Sequence, residues 1–180
     1  RDFVWMKRMA EDRGLEVKVE DRTDDFTCIG IWGPNARTTL QAVVDDPQEL
    51  SIERFPFAAV RDLTIKGTNV WAFRISYVGE QGWELHCKYD VGLALWDALF
   101  EQRVTPVGVE TYANSRRLEK SLRLQNADLL TEYNLLEADL ARPKVKAADF
   151  HGKEAYVAQR EREHQPAYLC TMTMQDNVDA

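Results

Sequence analysis

The chain of 180 residues has little cysteine and little histidine, with three residues of each. The cysteines are Cys28, Cys87 and Cys170. Their odd number, wide spacing and lack of a C-x-x-C pair argue against a disulfide framework or a zinc knuckle. Among the histidines, only His86 lies next to a cysteine, so the sequence predicts no metal site. We therefore expect reduced, buried thiols, as in an intracellular protein.

Long apolar runs and an excess of basic charge are also missing. No apolar stretch approaches the roughly 20 residues that a membrane-spanning helix needs, and the first residues contain no signal-peptide core. There are 30 acidic and 23 basic side chains, and the net charge of −7 argues against binding nucleic acid through bulk charge. Because the chain does not begin with Met, we expect it to be a piece of a longer protein.

The common catalytic motifs are absent as well. The sequence holds no Walker loop, no G-x-G-x-x-G, no H-E-x-x-H and no G-x-S-x-G. What remains is a composition that is ordinary for a globular protein, with 44% hydrophobic and 29% charged residues. General motifs alone therefore indicate no reaction.

Hydrophobic periodicity predicts helices and strands without a regular β-α-β rhythm. Helices are predicted at residues 2–13, 34–44, 91–102, 110–122 and 153–163. Strands are predicted at residues 17–20, 26–32, 58–66, 70–77, 83–86 and 167–174. The strands at 58–66 and 70–77 flank a Gly-Thr-Asn turn, which is typical of an antiparallel hairpin. We therefore predict an α+β fold with a mainly antiparallel sheet and packed helices.

The second strand of this hairpin has one face of large apolar side chains. Trp71, Phe73, Ile75 and Tyr77 alternate along it, so they share a face, and smaller side chains occupy the other. We expect Trp71, Phe73 and Ile75 to be mostly buried.

Four segments, taken in order along the chain, resemble those of one known family. Residues 32–37 (WGPNAR) are similar to its Gly-Pro-x-Ala-Arg turn. Residues 74–86 (RISYVGEQGWELH) are similar to its folate-site strand, where an aromatic residue precedes a Gly-Glu-x-Gly turn and a glutamate. Residues 115–120 (SRRLEK) and 149–155 (DFHGKEA) resemble its Ser-Leu-Arg-Leu-Glu helix and its Asp-Phe-x-Gly-x-x-Ala segment. This family is that of the glycine-cleavage T-protein, an aminomethyltransferase.

Some residues are more similar to one branch of that family. Tyr77, Trp83 and residues 112–114 (YAN) resemble the folate domains of dimethylglycine and sarcosine dehydrogenases more than the stand-alone T-protein. T-proteins carry an Arg shortly before the Arg-Leu-Glu stretch, where this chain has Ala113. This departure argues against the T-protein's own aminomethyl-lipoyl substrate.

The resemblance implies a tetrahydrofolate-dependent transfer of a methylene or aminomethyl unit from an amine donor to the pterin nitrogen. It implies that Glu84 binds the pterin, since a carboxylate accepts two adjacent N–H groups, and that Tyr77 lies in the same site. We expect Tyr77 and Glu84 to line one cavity. Strand alternation places Glu84 opposite Trp83 and Leu85, so Glu84 can face a ligand while they pack. From spacing alone, a solvent-facing carboxylate is the favoured interpretation of Glu84, and Tyr77 could equally be a core tyrosine.

Two further features have two interpretations each. Gly79 and Gly82 are either turn glycines or points where the backbone approaches a ligand. A basic run on the predicted helix 110–122 and directly after it is either a solvated face or a means of steering an acidic folate tail. The basic residues are Arg116, Arg117, Lys120 and Arg123.

The resemblance also implies domains and partners. Residues 1–150 correspond to part of a folate-binding domain, and residues 151–180 to a helix and first strand leading into a C-terminal β-barrel domain. The resemblance implies that the family's catalytic aspartate lies upstream of Arg1, so the catalytic residues of this chain are unknown. We therefore expect the chain as given to be incomplete as a catalyst. Expected partners are folate and a small amine, with a lipoyl carrier protein or an upstream FAD domain as further options. FAD is implied only by fusion to such a domain, and the expected location is the cytoplasm, or the mitochondrial matrix in a eukaryote.

Three other functions stay open at this point. The chain could be a non-catalytic folate-binding regulator of the same fold, or a folate-dependent demethylase. It could also be an unrelated α+β interaction domain, which would show no saturable folate binding.

Overall fold

A computed structural model describes residues 2–173 of the chain. The described residues form two units, the first of residues 2–76 and 80–106 and the second of residues 77–79 and 107–173. Within residues 2–173, no helix combines the length and the apolar character that crossing a bilayer requires.

The first unit begins with helix α1, Asp2–Asp12, as the periodicity predicts. Gly14, at a φ of +60°, follows the end of the helix. The strand predicted at 17–20 is wrong, because residues 15–22 have no regular structure and Val17 is 60% exposed. Alternation over four residues makes no strand unless a neighbouring strand pairs with it.

A four-stranded antiparallel sheet forms the centre of the first unit and confirms the predicted α+β class. Its strands are β1 (Phe26–Trp32), β2 (Val60–Ile65), β3 (Thr68–Phe73) and β4 (Gly82–Lys88). Their order is β1-β4-β3-β2, so the hairpin of β2 and β3 pairs with β4, which pairs in turn with β1. The predicted hairpin is confirmed, although β3 ends at Phe73 and not at Tyr77.

Two helices cover one face of this sheet. Helix α2, Ala36–Gln41, follows β1, and helix α3, Gly92–Phe100, follows β4. Their apolar residues and the inward residues of all four strands form one cluster. Its members on the sheet include Ile31, Leu63, Ile65, Val70, Ala72, Trp83, Leu85 and Cys87, and those on or after the helices include Ala36, Leu40, Val43, Val44, Leu95 and Leu99. We call this side of the sheet the core face.

The predicted burial of the large face of β3 is wrong. Val70 and Ala72 are fully buried on the core face, whereas Trp71 is 49% exposed and Ile75 is 36% exposed. Phe73 is intermediate. Both faces of β3 are apolar, and the helices pack on the face with the smaller side chains. The other side of the sheet, called the outer face below, carries Cys28, Gly30, Trp71, Phe73, Glu84 and His86.

The second unit has less regular structure. The predicted helix at 110–122 is a π-helix, Thr111–Arg116, continued by helix α4, Arg117–Glu119. Helix α5, Lys153–Arg160, corresponds to the helix predicted at 153–163. Of the strand predicted at 167–174, residues 167–173 form no strand, and Met174 lies outside the described residues. The proposed start of a β-barrel domain therefore stays a prediction.

Candidate functional site

Glu84 lies on the outer face in the middle of β4. Its chain neighbours Trp83 and Leu85 are buried in the core, at 1% and 0% exposure, and they fix the strand so that the carboxylate points to the opposite side. This is the orientation predicted from alternation. The Glu84 side chain is 31% exposed, so it remains accessible from solution.

Aromatic side chains lie on either side of Glu84 along the sheet. Its cross-strand neighbours are Phe73 on β3 and Gly30 on β1. A Cβ on Gly30 would come within 3.2 Å of the Trp32 indole, so the glycine lets this indole lie against the strand beside Glu84. Further along the outer face, the rings of Phe26 and Trp71 stack at 5.1 Å. A carboxylate between flat apolar surfaces can accept two adjacent N–H groups from a flat ligand.

Cys28 and His86 lie next to Glu84 on the outer face. Cys28 is exposed, as is Cys170, so the expected burial of the cysteines is wrong for both and right only for Cys87. The Cys28 Sγ is 3.6 Å from the His86 Nε2, and this nitrogen is 3.7 Å from a Glu84 oxygen. Desolvation, followed by the nearby Glu84 carboxylate, raises the pKa of the Cys28 thiol to about 11. The sequence carries no signal of this cluster, because Cys28 and His86 are 58 residues apart. Only the pairing of β1 with β4 brings them together.

Two of the segments that carry the family resemblance meet at the end of β1. The Gly33 amide donates to the Gln81 carbonyl at 2.9 Å, and the Arg37 Nε donates to the Gln81 side chain at 3.3 Å. The Arg37 guanidinium also lies over the Trp83 ring, 5.3 Å from its centre. Desolvation and the positive charge of Arg74 lower the pKa of Arg37. The segment at residues 32–37 and the segment at residues 74–86 are thus in direct contact and fix each other's position.

The two glycines of the turn have structural explanations. Gly79 has a φ of +70°, where a side chain is strained, and a Cβ there would clash with the Lys120 side chain. A Cβ on Gly82 would lie 2.8 Å from the Ile31 carbonyl oxygen. These constraints favour the interpretation as turn and packing glycines over a close approach to ligand.

Tyr77 belongs to the second unit, whereas Glu84 belongs to the first. Its hydroxyl donates a hydrogen bond of 2.6 Å to the Arg123 carbonyl, and its ring lies 5.5 Å from that of Tyr112. Desolvation raises the pKa of Tyr77. The hydroxyl is therefore engaged within the protein, and a cavity shared with Glu84 stays a prediction.

Two of the four residues of the basic run, Arg117 and Arg123, make hydrogen bonds within the second unit. Arg117 is buried and bonds to the Ala113 and Leu122 carbonyls and to the Asp128 carboxylate. Arg123 donates to the carbonyls of residues 138 and 169, at 3.2 and 2.8 Å. These two arginines hold the unit together, so steering of a folate tail is left at most to Arg116 and Lys120.

Sequence comparison shows which known proteins this chain is similar to. The sequence profile of the GCVT N-terminal domain matches residues 1–146. The mitochondrial dimethylglycine dehydrogenase of Homo sapiens is 34% identical over 185 residues, which cover 99% of this chain and 21% of that protein. The aminomethyltransferase of Staphylococcus carnosus is 34% identical over 166 residues, which cover 89% of this chain and 43% of that protein.

A solved structure also matches in part. The heterotetrameric sarcosine oxidase from Corynebacterium sp. U-96, in complex with pyrrole 2-carboxylate, has a chain 20% identical to this one. Its TM-score is 0.43, and the match covers 57% of this chain and 52% of that chain. The present chain spans about a fifth of the length of the dimethylglycine dehydrogenase and under half that of the aminomethyltransferase.

Proposed function

Because the chain belongs to the GCVT N-terminal domain family, we propose that it supplies the pterin-binding sheet of a tetrahydrofolate-dependent one-carbon transferase. The observation that carries this proposal is the placement of Glu84. Its carboxylate lies on the outer face of β4, and its two chain neighbours are buried in the core. The Phe73 ring lies on one side of it, and the Trp32 indole, which packs over Gly30, lies on the other.

In this proposal Glu84 binds and orients the pterin. A carboxylate that accepts two parallel N–H groups fixes both the position and the rotation of a planar ring. The aromatic side chains of the outer face exclude water from the ring, which strengthens those hydrogen bonds. Bound tetrahydrofolate would supply the nitrogen that receives the one-carbon unit. We assign no catalytic residue to this chain.

The donor is proposed to be a small secondary or tertiary amine. Human dimethylglycine dehydrogenase matches 99% of this chain, and Ala113 replaces the arginine of T-proteins. An upstream FAD domain would belong to such a protein, with the mitochondrial matrix as its location in a eukaryote and the cytoplasm elsewhere. A lipoyl carrier protein would be the partner only for a T-protein-type donor.

The test is calorimetry of a stable reduced folate with the 180-residue chain and with its Glu84→Gln variant. The neutral amide keeps the shape of the side chain but loses the charge that strengthens both hydrogen bonds. We expect binding to weaken by roughly 1.5–3 kcal/mol. Asp62→Asn is the matched control, because Asp62 is an exposed carboxylate on the outer face two strands away.

The control variant should bind as the unchanged chain does. Equal affinity of the unchanged chain and Glu84→Gln would remove Glu84 from the pterin site. An absence of saturable folate binding would reject the proposed function and favour an interaction domain. Binding that persists without transfer in a longer protein that includes the upstream region would identify the non-catalytic regulator.

A further inference from the structure

We propose that Cys28, Glu84 and His86 form a three-ligand site for a zinc-class divalent metal ion on the outer face of the sheet. The site goes beyond the proposed function and uses none of its assumptions. The metal site and the proposed pterin site share one side chain, that of Glu84.

The separations of the three ligand atoms carry the proposal. The Cys28 Sγ and the His86 Nε2 are 3.6 Å apart, the His86 Nε2 and a Glu84 oxygen are 3.7 Å apart, and one atom from each residue lies within 4.8 Å of the others. Zinc bonds of about 2.3 Å to sulfur and about 2.0–2.1 Å to nitrogen or oxygen place tetrahedral ligand atoms roughly 3.3–3.6 Å apart. One ion can therefore reach all three atoms with small side-chain adjustments.

The backbone holds these ligands in place. Cys28 and His86 are directly paired across β1 and β4, and Glu84 lies two residues before His86 on the same face. Between and beside them, Leu85 and Cys87 are anchored in the core. The Phe73 ring packs edge-on against the imidazole at 4.8 Å. Such support fixes the positions of the three ligand side chains better than a loop would.

The ligand types define the class of metal. A thiolate, an imidazole and a carboxylate together suit zinc and similar transition metals, whereas magnesium and calcium prefer oxygen ligands alone. Three protein ligands leave one position for water or another ligand. Cys28 is exposed and the side chains of Glu84 and His86 are 31% and 29% exposed, so an ion can enter from solution.

The experiment titrates the 180-residue chain, kept reduced by a phosphine, with Zn²⁺ in a calorimeter and with Co²⁺ in a spectrophotometer. We expect one Zn²⁺ per chain and, with Co²⁺, the near-ultraviolet charge-transfer band of a thiolate ligand. Cys28→Ser should abolish that band, and Cys28→Ser and His86→Gln should each weaken Zn²⁺ binding by roughly tenfold or more. The matched controls are Cys170→Ser and His164→Gln, since both residues are exposed and lie outside the cluster.

Both controls should bind within about twofold of the unchanged chain, and circular dichroism checks that every variant is folded. A Co²⁺ complex without the thiolate band would overturn the proposal. So would Zn²⁺ affinity that is unchanged in Cys28→Ser or in His86→Gln.

A second titration separates this inference from the proposed function. Reduced folate is added to the chain with and without Zn²⁺, and we expect Zn²⁺ to weaken folate binding, because both need Glu84. If Zn²⁺ binds through the three ligands and folate does not bind at all, the metal site stands and the pterin proposal falls. If folate binding depends on Glu84 and Zn²⁺ does not bind, the metal site falls and the pterin proposal stands.

Discussion

The two units of the chain are held together by different kinds of interaction. In the first unit, α2 and α3 pack on the sheet through a continuous apolar cluster. In the described residues of the second unit, the buried apolar side chains are Val78 and Ala138, and the buried charged ones are Arg117 and Glu137. The first unit is thus stabilised mainly by apolar area, and the second relies more on directional bonds.

The bonds of the second unit converge on a few side chains. The Asp128 carboxylate accepts from Arg117 and also from the Leu124 amide at 2.9 Å. The Asn134 side chain accepts from the amides of residues 136 and 137 at 2.8 and 3.0 Å, and Glu137 accepts from the Asn134 amide at 2.8 Å. In an apolar cluster the stabilising energy is spread over many contacts. In this polar network it depends on a few side chains, so replacing one of them should destabilise the second unit strongly.

The largest effect is expected from Arg117→Met in the second unit. Methionine fills much of the volume but leaves the Ala113 and Leu122 carbonyls and the Asp128 carboxylate without their donor. We expect the second unit to lose about 3–5 kcal/mol of stability. Hydrogen exchange at the Leu122 and Leu124 amides measures the loss.

Arg116→Met is the matched control, because Arg116 is the preceding arginine and its ion pair with Glu119 is largely exposed. It should cost less than about 1 kcal/mol. If the Leu122 and Leu124 amides are as well protected from exchange in Arg117→Met as in the control, the Arg117 network does not stabilise the second unit.

The next effect is expected from Leu85→Ala in the first unit. Leu85 is fully buried between Ile29 and Ala72 in the sheet register. Removing its side chain should cost about 2–4 kcal/mol through lost burial and the cavity that remains. Denaturant unfolding, followed by circular dichroism, measures this cost.

Leu93→Ala removes the same atoms from a residue of α3 that is 72% exposed, and it should change the stability by less than about 0.5 kcal/mol. Hydrogen exchange then sharpens the comparison of the two units. If Leu85→Ala lowers protection in the second unit as much as in the first, the two units unfold together and the distinction between them fails.

The smallest effect is expected from Tyr77→Phe, which removes the hydroxyl donor to the Arg123 carbonyl. At neutral pH the variant should be less stable by about 0.5–1.5 kcal/mol. Because the pKa of Tyr77 is raised in the folded chain, the folded state favours the protonated phenol. That contribution is complete below the ordinary tyrosine pKa of roughly 10 and is lost as the pH rises through the folded pKa.

Urea unfolding at neutral pH and above about pH 10 tests both statements. The difference between the unchanged chain and Tyr77→Phe should narrow at high pH, because the phenylalanine variant has no phenol to ionise. Tyr133→Phe, at a tyrosine 38% exposed in the same unit, is the control and should have little effect. A gap that widens with pH would contradict the assigned hydrogen bond.

Much of the fold could be predicted from local pattern. The helices α1 and α3, the strand β1 and the hairpin of β2 and β3 follow from periodicity and turn residues, since these encode secondary structure locally. The strands predicted at 17–20 and 167–174 failed in the described residues for the same reason: alternation is a local property, and a strand also needs a partner. The family itself was predicted from four short segments.

The site could be predicted only in part. The orientation of Glu84 followed from its neighbours Trp83 and Leu85, which are strongly apolar. Which side of β3 is buried could not be predicted, because both sides of that strand are apolar and only the packing of the helices decides between them. Arg117 gave no signal of burial, since its partners are carbonyls and a carboxylate that the sequence does not mark.

The sequence by itself therefore determined the types of most elements, the family, and the side of β4 on which Glu84 stands. These depend on residues close together along the chain. Only the tertiary structure decided which face of the sheet became the core, which arginines became structural, and that Cys28 meets His86 and Glu84. Each of these depends on side chains that are far apart in sequence and become neighbours through strand pairing, helix packing or long loops. A local sequence pattern does not indicate which distant residues come into contact.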